Sequence, residues 1–195
     1  MGIGEKSGIY WALNPDDGSV LWKTLVGPGS ALGGIEWGTA TDGDRISVPI
    51  ANLFGIPYAL QPSDAMVNSG SWAALDPATG KILWQIATPG TCSTPIKDVA
   101  QGCMGLGPAS VANGVVFAGS MDLNPANPTM FALDAKTGNI LWSFVAGSSV
   151  IAGPAIVGNS IYWGSGYRRL NFLGPIIGTP NNKLFAFSIG DDDSH

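Results

Sequence analysis

The feature that most constrains this chain is a segment that occurs three times. ALNPDDGSVLW (12–22), ALDPATGKILW (74–84) and ALDAKTGNILW (132–142) align without gaps, and their tryptophans stand 62 and 58 residues apart. In each copy an Asn or Asp precedes a Gly by four positions and the Trp by eight. A period near 60 with this internal agreement marks a repeat architecture. Each copy reads as a β-hairpin. The Ala-Leu-Asp end of one strand meets a turn whose Gly takes positive φ, and Ile-Leu-Trp opens the next strand.

A second pattern precedes the hairpin. GTATDGDRISVP (38–49), GPASVANGVVFAG (107–119) and GPAIVGNSIYWG (153–164) each read as strand, tight turn and strand, with turns at Asp42-Gly43, Asn113-Gly114 and Gly158-Asn159. The unit is therefore four antiparallel strands, A to D. One such sheet cannot bury both faces, but stacked blades of a β-propeller can, with the repeating Trp as the large apolar piece at each joint. The chain divides into a C–D hairpin at about 10–27, full blades at about 36–88 and 107–146, and strands A to C at about 153–189. Propellers close with roughly four to eight blades. The expectation is an all-β, partial β-propeller of about three and a half blades over residues 1–189, the C-terminal portion of a longer ring, followed by an acidic disordered tail at 190–195. The D strand of the last blade is expected from the other end of the closed ring, as a latch.

Composition fits this reading and narrows function. Gly (28) and Pro (14) break helix interiors, and Glu occurs only at Glu5 and Glu36. The net charge is −5 and no basic cluster exceeds Arg168-Arg169, which argues against a nucleic-acid partner. No apolar run reaches the roughly 18 residues of a membrane span. The first ten residues lack the apolar core of a signal peptide, so either the chain is not exported or the true start lies upstream. His195 is the only His, which removes Ser-His-Asp and Cys-His catalysis and His-ligated zinc from this chain. Cys92 and Cys103 form neither a C-x-x-C nor a haem motif. They are either a local disulfide in an exported protein, worth about 2–4 kcal/mol, or two ordinary thiols, and the disulfide is favoured.

The hairpin motif A-L-(D/N)-x-x-(T/D)-G-x-(I/V)-L-W resembles the tryptophan-docking repeat of the quinoprotein alcohol dehydrogenase-like superfamily. Its members form eight-bladed propellers, and many bind pyrroloquinoline quinone (PQQ). Gly33-Gly-Ile-Glu-Trp-Gly38, followed by TATDGDRISVP, resembles the polyvinyl-alcohol dehydrogenase branch. The likeness runs from about residue 10 to 189. It implies oxidation of a secondary or polymeric alcohol to a carbonyl with PQQ and Ca2+, an electron-acceptor protein, and an extracellular or periplasmic location. The same repeats occur in non-catalytic scaffold proteins, so a binding or scaffold module is the alternative. The adjacent-cysteine disulfide of some members is absent.

Connection lengths select the functional end. The A–B and C–D connections are tight turns. The B–C and D–A connections, at about 50–71, 87–106, 120–129 and 164–182, are long and share the other end. Arg168 and Arg169 lie there. Their guanidinium forks suit the three carboxylates of PQQ, or else they are a solvated loop pair. Glu36 and Trp37 sit where a D–A connection enters an innermost strand. The resemblance implies a Ca2+ carboxylate for Glu36 and ring stacking on the quinone for Trp37, whose alternative is core packing. Asp122 and Asn124 carry oxygen ligands suited to Ca2+, and Asp122 also suits a general base. Their alternative is turn chemistry, a side chain capping its own backbone. Asn52 and Asp64 share the 50–71 loop and are candidates with the same alternative, whereas Asn14, Asp76 and Asp134 belong to the repeat hairpins and are structural.

Overall fold

The computed structural model describes residues 1–189 other than 32, 91–94, 97–98, 101–102 and 171–175. The acidic tail at 190–195 therefore lies outside the described residues, which form strands and turns but no helix. Among them no helix is long and apolar enough to cross a membrane.

In chain order, β1 (Gly2–Gly4), β2 (Ile9–Leu13) and β3 (Val20–Leu25) make the first antiparallel sheet. This corrects the two-stranded hairpin expected at about 10–27. Gly-Ile-Gly has no alternation to announce a strand. It is held by pairing to β2 and by exchange between Met1 and Leu13, whose N–H donates to the Met1 carbonyl at 2.7 Å. The second sheet has β4 (Ala40–Thr41) and β5 (Ile46–Ile50), with a small hairpin of β6 (Tyr58–Ala59) and β7 (Met66–Val67) in the connection to β8 (Ser71–Leu75) and β9 (Ile82–Ala87). A two-stranded ladder of β10 (Pro95–Ile96) and β11 (Val99–Ala100) follows. The third sheet is β12 (Ser110–Ala112), β13 (Val115–Gly119), β14 (Met130–Asp134) and β15 (Ile140–Phe144). The fourth contains β16 (Ala155–Val157) and β17 (Ser160–Gly164), then the pair β18 (Arg169–Leu170) and β19 (Ile176–Ile177) in a connection, and finally β20 (Leu184–Ser188). The four sheets are the blades of a partial β-propeller.

The three repeat turns fold alike. Gly18, Gly80 and Gly138 have φ of 74°, 73° and 76°. The register shifts at Ala12/Leu13, Ala74/Leu75 and Ala132/Leu133, the same place in each hairpin. Each seam between sheets has its own core. Tyr10, Val48, Ile50 and Leu75 belong to the first, and Trp72, Trp84, Phe131 and Leu133 to the second. Met130 and Trp163, with Phe144 and Phe187, belong to the third.

The tryptophans join neighbouring blades. The Trp22 indole N–H donates to the Pro77 carbonyl and that of Trp84 to the Ala135 carbonyl, both at 3.0 Å. A methyl group at Gly80 would collide with the Trp22 ring, and one at Gly138 with the Trp84 ring. The third joint departs from the expected burial. Trp84 is 6% exposed but Trp142 is 37% exposed.

Candidate functional site

The long connections are fastened to the sheets by backbone hydrogen bonds at matching positions. Ala51 N–H donates to Gly34 O, Met121 N–H to Met104 O and Gly166 N–H to Ser149 O. Gly105 N–H donates to Ile50 O and Val150 N–H to Ser120 O, which ties each D–A connection to the blade before it. This correspondence places Glu36, two residues past Gly34, where the other repeats have Leu106 and Ile151. Those two side chains pack in or against the apolar group of Ala51, Leu53, Met104 and Met121.

A carboxylate thus occupies a slot that two other blades give to hydrocarbon. Glu36 Oε2 lies 3.2 Å from Lys6 Nζ, with side-chain exposures of 19% for Glu36 and 60% for Lys6. The same oxygen is shut off from solvent and makes no well-aligned hydrogen bond. Lys6 Nζ also donates to Ala31 O at 3.3 Å. Gly33, at φ 96°, lets the carboxylate approach, since a Cβ there would stand 2.8 Å from Oε2. Trp37 is 53% exposed, so it is not a core residue.

Asp122 is fully buried. Its Oδ1 accepts from Asn124 N–H at 2.9 Å, and its Oδ2 accepts from Asn127 Nδ2 at 2.8 Å. Asn124 is exposed, and its Oδ1 accepts from Ala126 N–H. These contacts are the turn chemistry weighed above. The cross-strand partners Ser47–Ala74 and Phe117–Ala132 show that Asn52 is the counterpart of Asp122. Asn52, also fully buried, closes its own connection by donating to Ile56, Asn68 and Ser69 carbonyls. Both Asp122 oxygens are engaged within their own loop, and the residue is shut off from solvent.

Arg168 is exposed, and Arg169 lies in β18. Asp64 is exposed, in a turn at φ 58°. Cys103 is buried and disulfide-bonded, whereas Cys92 lies outside the described residues. Asp122 and Asn124 share one turn, Glu36 and Trp37 another segment, and no described contact joins the two pairs. Among the described residues no three His, Cys, Asp or Glu converge as a metal set. As a cation ligand, the under-bonded oxygen of Glu36 fits and Asn124 does not join it. Lys6 was missed from the sequence because nothing local ties it to a residue 30 positions on. Asn52 was legible as more than a weak candidate by aligning IANL with SMDL.

Stacked antiparallel sheets of three or four strands, the first three joined in turn by an indole seated on a glycine turn, define a partial β-propeller. A family model described as outer membrane protein assembly factor BamB, a PQQ-repeat family, matches residues 68–173, more than half of the chain. The chain belongs to this family. It is 33% identical over 211 residues to a polyvinylalcohol dehydrogenase from a Pseudomonas species, an alignment covering 96% of this chain and 30% of that protein. BamB from Moraxella catarrhalis shares its fold with a TM-score of 0.56 at 20% identity, over 96% of this chain and 49% of that one. Quinohemoprotein alcohol dehydrogenase from Comamonas testosteroni does so with a TM-score of 0.56 at 15% identity, over 85% of this chain and 27% of that one.

Proposed function

We propose that the chain is part of a PQQ-dependent alcohol dehydrogenase that oxidises a secondary or polymeric alcohol to a carbonyl. Glu36 carries this reading, together with the name of the polyvinylalcohol relative. Holding a carboxylate in an apolar slot is unfavourable unless a cation meets it. Lys6 does so only from a largely exposed side chain. Ca2+ prefers carboxylate oxygen and would use the oxygen that lacks an aligned donor. Glu36 would hold Ca2+, exposed Trp37 beside it would offer a ring face, and the Arg168 guanidinium would meet quinone carboxylates. The chemistry that PQQ with Ca2+ supplies when bound is acceptance of a hydride equivalent from the alcohol carbon. Lys6 neutralises Glu36 before the cation arrives and keeps the Ala31 carbonyl as its other partner. A disulfide at Cys103 supports an extracellular or periplasmic setting, with an electron-acceptor protein as partner.

The test is the thermal midpoint with and without PQQ plus Ca2+, since native-state binding raises it by linkage. We expect an upward shift in the native chain and its loss in Glu36→Gln. A native midpoint that stays put overturns the reading. It favours the second one, a scaffold module without cofactor, which is supported by the commitment of both Asp122 oxygens to their loop.

A further inference from the structure

We infer that the cavity at the first seam between sheets is a subsite for a neutral, hydroxylated hydrocarbon chain. The choice of occupant rests on the alcohol-oxidation reading. The cavity, about 580 Å3, lies between the end of β3, the connection carrying β6, and β9. Its volume is that of a small-ligand site, typically about 300–1,000 Å3. Leu25, Ile56, Pro57 and Ile82 supply apolar wall, Ser7 and Gln61 supply hydrogen-bonding groups, and no charged side chain lines it. A neutral ligand with carbon between its hydroxyls matches that surface, and an anion does not. Leu25 is 65% exposed and Ile56 42%, apolar groups left open beside the cavity. Ser7 directly follows Lys6, the partner of Glu36, so the subsite adjoins the proposed cation site along the chain.

The cavity is also held open by construction. Gln85 is 5% exposed, whereas its counterparts Lys23 and Ser143 are exposed. Its Oε1 accepts from Gln61 N–H at 3.1 Å, and its Nε2 donates to Val26 O at 2.8 Å and Ser71 Oγ at 2.9 Å. One amide therefore fixes the walls from β3, β9 and the β6 connection. The Tyr58 hydroxyl is closed off behind them, and burial pushes its pKa up to about 12, against a smaller opposing pull from Ser71. A wall set before the ligand arrives lowers the ordering cost of binding.

Short polyvinyl alcohol oligomers are titrated calorimetrically into the full chain, with polyethylene glycol of equal length as the control without hydroxyls along its chain. Leu25→Asp and Ile56→Asp are the test variants, both at exposed positions, with native folding checked by an unchanged thermal midpoint. Binding of the alcohol oligomer, weakened at least roughly tenfold in either folded variant and absent for the glycol, supports the subsite. No binding to the native chain, native-like binding by both folded variants, or equal binding of the glycol overturns it. A midpoint that rises with PQQ and Ca2+ in a chain that ignores the oligomer removes the subsite and leaves the oxidation reading. Oligomer binding that depends on Leu25 and Ile56, in a chain that ignores the quinone, keeps the subsite and removes that reading.

Discussion

Single side chains bonded to their own backbone are expected to contribute to the acid limb of stability. Asp76 Oδ1 accepts from the N–H of Ala78 and Thr79, and Asp134 Oδ1 accepts from those of Lys136 and Thr137. The Thr79 backbone bond is the largest influence lowering the Asp76 carboxyl below 3.8, and the Thr137 hydroxyl bond the largest for Asp134. A depressed folded-state pKa contributes stability that is full above the unfolded value and is lost as pH falls through the folded one. Asp76→Asn with Asp134→Asn is expected to flatten the fall in urea midpoint between about pH 5 and pH 2. A slope equal to the native one would refute this. These two roles were legible in the sequence because donor and acceptor lie within three residues. The Lys6–Glu36 pair was not, because only the tertiary fold brings its members together.

At the scale of elements, the repeat turns separate backbone strain from packing. Gly18 and Gly80 share a left-handed φ, but a methyl group at Gly18 meets nothing within 4 Å, whereas one at Gly80 strikes Trp22. Gly18→Ala should cost about 1 kcal/mol from the left-handed conformation alone. Gly80→Ala should cost about 2–4 kcal/mol, because overpacking against the indole adds to the strain. Denaturant unfolding of the two variants checks this, and equal costs would show that Trp22 yields freely. The turns were readable from their glycines. The strands were readable mainly through repetition: β8 is buried at all five positions and shows no alternation of apolar and polar residues. The hairpins β6–β7 and β18–β19 escaped because two-residue strands are too short to display a period.

The whole molecule is a row of sheets with a separate core at each seam. In such a stack each unit relies on its neighbours, and cooperativity passes through the seams. Trp84→Ala empties the second seam and removes the bond to Ala135. It should cost about 3–5 kcal/mol and uncouple the sheets on either side. Amide exchange should then divide into two protection classes about that seam, and a uniform loss of protection would count against independent seams. Blade number and order were legible because the motif recurs, but the uneven seating of Trp142 was not, since its motif matches those of Trp22 and Trp84. The backbone ties at Ala51, Met121 and Gly166 have one more consequence. They pin each long connection at its root, and the entropy of closing a loop rises only slowly with length. Insertions beyond those roots should therefore leave the blades undisturbed, so that changes in ligand preference can accumulate at one end of the molecule without renegotiating the fold.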